Sequence, residues 1–199
     1  RSLDVQPAQY GQSHITITDP AYTSPPNEQR QKRIAAERQT LRKLRAQWRQ
    51  LPTQTVPDLN AVLPAQGIAS TPFGFRRYIN GKLRSSHLGL DIAAPVGTPI
   101  HAAMAGQVQM IADRFYTGWT VVIDHGLGVQ TLYAHLSQIQ PRLVEGQYIE
   151  QGALIGAMGA TGRATGSHLH WGLNLSGVAV DPAILLSPEE RARIQLPSD

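Results

Sequence analysis

The chain of 199 residues has no cysteine. That excludes a disulfide framework, a thiolate metal site and a cysteine nucleophile. It leaves the compartment open, since a chain without thiols tolerates an oxidising one. Long apolar runs are missing too. Stretches such as Ala179–Leu186 are broken by Asp181 and Pro182, and none approaches the ~20 residues of a membrane-spanning helix. No initiator methionine and no signal peptide are present. The chain opens at Arg1, as expected of a processed or trimmed piece whose targeting sequence lies outside it.

What is there is 41% hydrophobic, with 18 Gly and 14 Pro. This composition predicts one sizeable domain, or one domain with an appendage, burying a core among many turns. It excludes a collagenous, wholly disordered or coiled-coil chain. The net charge of +4 is unevenly spread: Glu28–Gln50 carries eight basic residues against Glu28 and Glu37, so that segment is +6 and the remainder −2. A nucleic-acid surface needs a basic face interleaved with stacking aromatics. This segment offers only Trp48, so nucleic acid is disfavoured.

Three regions separate. Residues 1–26 are polar, with an alternating run His14–Thr18 that reads as a strand ending at Asp19-Pro20. Residues 27–51 read as a helix after Pro25-Pro26, with Asn27 as N-cap. Ile34, Leu41, Leu44, Trp48 and Leu51 form an apolar stripe along it, the pattern of a charged surface helix packed on a neighbouring domain. Residues 52–66, with Pro52, Pro57 and Pro64, read as a linker. From Gly67 onward, short runs sit between glycines: Thr98–His101, Gln107–Ile111, Thr120–Asp124, Gln130–His135, Ala153–Met158 and His168–Leu175. Their spacing, with no long helix between them, predicts a mainly β, antiparallel domain over 67–199, preceded by a 1–66 segment of strand, basic amphipathic helix and linker.

That β region holds six of the seven histidines. His87-Leu88-Gly89-Leu90-Asp91 places an imidazole and a carboxylate where both can reach one cation. His168-Leu169-His170 puts two imidazoles on one face of a strand, with Leu169 turned to the core. His135, in Tyr133-Ala134-His135-Leu136, would by itself be a satisfied structural residue more often than a catalyst. Together, His87, His135, His168, His170 and Asp91 match an open catalytic zinc site, which keeps three protein ligands and a position for water. Five groups leave two for proton chemistry. Spacing alone does not choose between His168 and His170 as ligand.

These motifs resemble the LytM/lysostaphin-type zinc metalloendopeptidases. The resemblance rests on His87-x-x-x-Asp91, Tyr133–Leu136 and Gly166-Ser167-His168-Leu169-His170-Trp171, with Phe73-Gly74-Phe75-Arg76, Gly89–Pro95, Asp124-His125-Gly126 and Met158–Gly162, all in the family's order from about Thr71 to Leu186. It implies an antiparallel β peptidase fold with His87, Asp91 and His170 as ligands of one Zn²⁺ per chain, and His135 and His168 as the catalytic pair. His125 lies in the Asp-His-Gly turn and is no ligand, and His14 and His101 match nothing functional. One departure is Trp119, where many members have Asn.

The resemblance further implies hydrolysis of peptide cross-links or stem peptides of peptidoglycan, in the periplasm or cell envelope of a Gram-negative cell. With no appended wall-binding repeat, a D-Ala–diaminopimelate link is favoured over a pentaglycine bridge. An upstream domain packing on the basic helix is a further expectation. Two other classes stay open. A catalytically silent LytM-like domain would activate cell-wall amidases, but such relatives typically lose ligand positions, and all five positions are intact here. A structural zinc or carbohydrate-binding β domain would want a closed four-ligand site, not three ligands with spare histidines.

Overall fold

The computed structural model describes residues 9–47 and 57–195. In chain order the elements are β1 (Gln12–Ile15), α1 (Pro20–Thr23), α2 (Glu28–Arg45), β2 (Ile68–Thr71), β3 (Arg76–Ile79), β4 (Lys82–Ser86), β5 (Leu90–Ala93), β6 (Pro99–His101), β7 (Gly106–Arg114) and β8 (Gly118–Gly126). They continue with β9 (Val129–Ile139), β10 (Tyr148–Ile149), β11 (Leu154–Met158), β12 (His168–Leu175), β13 (Val178–Val180), a 3₁₀ turn (Pro182–Leu185) and α3 (Pro188–Arg193). The fold is mainly β, as expected. A large antiparallel sheet runs β10-β7-β8-β9-β12-β5-β2, extended by β6, β11 and β13. A small second sheet, β1-β3-β4, contains a parallel pair, β1 with β3.

The register of β12 is set by its alternation. Leu169, Trp171 and Leu173 are buried in the core, and Trp171 stands opposite Tyr133 of β9 with both rings fully buried. Each such side chain contributes roughly 1.5–3 kcal/mol. A one-residue slip would turn them to solvent and the histidines inward. The same pairing sets His170 against Asp91 of β5.

Helix α2 begins where expected, with the Asn27 side chain accepting from the Arg30 backbone N–H at 2.9 Å. Its apolar stripe packs on this same sheet: Leu41 and Leu44 lie against Met110, Val122, Leu132 and Ala134. The helix C-terminus is tied down by Gln130, whose Nε2 donates to the Leu44 carbonyl at 2.7 Å. Trp48 and Leu51 of the expected stripe lie outside the described residues.

Two local readings shift. The first strand is Gln12–Ile15 rather than His14–Thr18, because the backbone of Ile17 is taken by the Asn80 side chain, through Oδ1 and Nδ2 at 2.9 Å each, instead of a neighbouring strand. The stretch from Pro57, read as linker, is irregular but packed. Ala61, Leu63 and Ala65 are buried in the main core, and Ala61 bridges to Leu186. Its prolines mark an irregular path, not exposure.

Candidate metal centre

His87 follows β4 and is buried. Its Nδ1 lies 2.9 Å from the Pro72 carbonyl, which can only accept, so the ring proton sits on Nδ1 and Nε2 keeps its lone pair. That Nε2 is 2.9 Å from His170 Nδ1 and 2.8 Å from Asp91 Oδ1, and His170 Nδ1 is 2.8 Å from the same carboxylate oxygen. Three donor atoms from two adjacent strands and the loop before them thus meet in one triangle. Among the described residues these are the histidines, cysteines and acids whose ligand atoms cluster closely enough to hold an ion. The triangle has more lone pairs than protons: His87 spends its proton on Pro72, so at most one remains, on His170 Nδ1. A cation at its centre fits this donor set.

Gly89 makes the approach possible. A Cβ there would stand 2.6 Å from both His170 Cε1 and the Trp171 carbonyl oxygen. The second carboxylate oxygen of Asp91 accepts from Arg77 Nη2 of β3 at 2.9 Å. Burial pushes the Asp91 carboxyl up, but the hydrogen bond from the His170 imidazole prevails and holds it well below the usual carboxylate range. Burial lowers His170 against the pull of Asp91, keeping the imidazole neutral.

The remaining two histidines stand beside this triangle. His135 and His168 have ring centroids 4.6 Å apart, and His135 lies 6.3 Å from His170. His135 occupies an irregularity of β9 with φ of +66°, rare for a residue with a side chain. Its N–H donates to the Thr117 carbonyl at 2.8 Å, and its ring Nδ1 to the Thr161 carbonyl at 2.7 Å, leaving Nε2 unprotonated. Burial, reinforced by His168, pushes its pKa down to about 3. His168 is half-buried, with Nδ1 donating to the Gly166 carbonyl at 2.9 Å. A cavity of about 260 Å³ joins Asp91, His135 and His168, and Ile15 and Ile17 of the N-terminal segment form part of its wall.

The five residues singled out by sequence are therefore brought together. The other histidines are placed elsewhere: His14 stacks on Tyr78 with centroids 4.8 Å apart, His101 lies in β6, and His125 is sealed in the core. Sequence reasoning missed three supporting groups. Thr161 holds His135 through its carbonyl, while its hydroxyl donates to the Leu136 carbonyl at 2.7 Å and accepts from the Trp119 N–H at 3.1 Å. The signal was Gly118 and Gly162, whose positive φ and lack of Cβ let these loops interlock. Arg77 and Arg163 had no local signal. Trp119 is 40% exposed, outside the histidine cluster.

Fold and site together define a mainly antiparallel β scaffold carrying three donor atoms that could hold a metal ion, with two further histidines beside them. Residues 85–182 match Peptidase family M23, and the chain belongs to that family. It is 40% identical over 119 residues to DD-carboxypeptidase/endopeptidase Mpg of Neisseria meningitidis serogroup B, covering 60% of this chain and 27% of that protein. To peptidoglycan DD-endopeptidase ShyC of Vibrio cholerae it is 34% identical over 147 residues, covering 68% of this chain and 33% of that one. A solved M23 peptidase candidate from Pseudomonas aeruginosa superposes with a TM-score of 0.65 at 39% identity, covering 77% of this chain and 60% of that chain. The chain thus spans about a quarter to a third of these curated relatives' length.

Proposed function

We propose that the chain is a zinc-dependent endopeptidase that hydrolyses peptide cross-links or stem peptides of peptidoglycan, acting in the cell envelope, on the periplasmic side. The observation that carries this reading is the proton-poor triangle of His87, Asp91 and His170 beside two histidines whose Nδ1 protons are already committed to carbonyls. The similarity to a peptidoglycan DD-endopeptidase supports the substrate class.

His87 Nε2, Asp91 Oδ1 and His170 Nδ1 would hold one zinc. When bound, zinc polarises a scissile carbonyl and lowers the pKa of a water molecule to ~7. His135 gives its Nδ1 proton to the Thr161 carbonyl, which leaves the Nε2 lone pair on the cavity to receive a proton as general base. The bond from Nδ1 to Thr161 fixes the ring and stabilises the imidazolium that results. His168, more exposed and likewise held through Nδ1, serves the developing oxyanion or the departing amine. Arg77 holds Asp91 in the orientation that offers Oδ1 to the two imidazoles.

Digestion of purified peptidoglycan, with the released muropeptides identified by mass spectrometry, tests the reading. Cross-linked dimers should disappear as monomers with newly exposed amines accumulate. Zinc bound without any release of products would instead favour the amidase-activating class.

A further inference from the structure

The catalytic cavity contains a cation without a counter-charge. Arg163, in the loop before β12, lines the cavity with His135 and His168, and its Cζ rests 4.5 Å above the Tyr116 ring centroid. Its guanidinium forms no ion pair among the described residues. Asp91 is the one carboxylate on the cavity wall, and both its oxygens are committed, Oδ1 to His87 and His170 and Oδ2 to Arg77. Burial depresses the Arg163 pKa, with Tyr116 opposing and the charges of Arg77 and Arg84 adding to the fall. The guanidinium is half-buried, and its one described side-chain contact is the face of the Tyr116 ring, which leaves its N–H groups open to an acceptor in the cavity. A second group on the same wall is also unsatisfied: Ser167 Oγ is buried with no hydrogen-bond partner.

A guanidinium fork and a free hydroxyl line one cavity whose single carboxylate is already engaged, and a carboxylate is the planar acceptor such a fork matches. We infer that Arg163, with Ser167, anchors a free carboxylate of the substrate peptide close to the bond that is cut. The site therefore takes peptides bearing a carboxylate beside the scissile amide and disfavours uncharged glycine bridges. The inference deepens the endopeptidase reading and rests on it for the identity of the peptide.

The test uses the zinc-loaded 199-residue chain and peptidoglycan dimers in two forms, native and with their carboxylates converted to methylamides. Charge-assisted hydrogen bonds of ~1.5–3 kcal/mol correspond to ~10–100-fold, so kcat/KM should be lower by that factor on the amidated dimer. Calorimetric titration of the His135→Ala variant with each dimer should show the same preference in Kd, independent of turnover. Arg163→Gln, checked by circular dichroism and zinc content, should abolish the preference, and Arg163→Lys should restore it in part. Equal cleavage and equal binding of the two dimers by the unaltered Arg163 site would overturn the anchor and leave the endopeptidase reading standing. Preferential binding of the native dimer without cleavage of either would uphold the anchor and sink the endopeptidase reading.

Discussion

Two sets of buried histidines in this molecule differ in how their protons are balanced. His125, in β8, is fully buried, and each ring nitrogen has a partner: Nδ1 lies 2.8 Å from the Ala105 carbonyl and Nε2 lies 2.8 Å from Thr131 Oγ1. Thr131 continues to the Tyr133 hydroxyl at 3.0 Å, which accepts from the Ala103 N–H at 2.8 Å. Each nitrogen of this ring thus faces one neutral oxygen, and among the described residues no charged group or second imidazole shares the site. At His87 and His170 the nitrogens and the Asp91 oxygen converge on one another with too few protons to bridge them. Burial alone therefore does not distinguish a functional histidine. The count of lone pairs against protons does.

The sharpest way to break this contrast is to remove a corner of the triangle. His87→Ala, Asp91→Ala or His170→Ala should weaken zinc binding well beyond the ~10–100-fold typical of an outer partner of a ligand, abolish hydrolysis and lower the Tm of the metal-loaded protein. Metal titration and calorimetry read both effects.

His135→Ala and His168→Ala come next. Each should keep zinc while hydrolysis slows by ~10²–10⁴-fold, the worth of a positioned acid or base. A fully active His135→Ala protein would return that residue to the class of His125.

Gly89→Ala should act on the triangle from outside it. The added methyl displaces His170 or the backbone at Trp171, which should weaken zinc binding ~10–100-fold and cost ~1–3 kcal/mol of stability. Unchanged metal affinity would show that the close approach of His170 is dispensable.

On the other side of the comparison, His125 should make itself felt through stability and its pH dependence rather than through metal binding. Burial, opposed by the Ala105 bond, pushes its pKa down to about 4 from 6.5. As pH falls below 6.5 the unfolded chain gains a proton that the folded chain refuses until about pH 4. Stability is then fully present above 6.5 and declines through that window, by an amount on the order of 3 kcal/mol. Urea unfolding of the metal-free protein at pH 7 and 4.5 should show a smaller decline for His125→Ala than for the unaltered chain. At neutral pH that variant, though less stable, should retain zinc and most of its activity.

The site was more legible in the sequence than its surroundings. His168-Leu169-His170 needed only the two-residue period of a strand, and Leu169 is fully buried as that period demands. The choice of His170 over His168 for the triangle depends on pairing across β5, which no local pattern contains. The β3–β4 hairpin escaped notice because Arg76-Arg77 and Lys82 to Ser86 are polar on an open sheet. Its turn was nevertheless written in Asn80-Gly81, both of which take positive φ. That omission hid Arg77, and with it the partner of Asp91. It also hid where the N-terminal segment lies. Through β1 pairing with β3, that segment brings Ile15 and Ile17 onto the cavity that holds His135 and His168.

The central claim is that His87, Asp91 and His170 bind the metal while His135 and His168 do not. Zinc measured by mass spectrometry in the unaltered chain, His168→Ala and His170→Ala, purified and dialysed side by side, tests it most directly. About one zinc per chain in the first two, and none in His170→Ala, is the predicted result. Zinc retained by His170→Ala and lost from His168→Ala would contradict it.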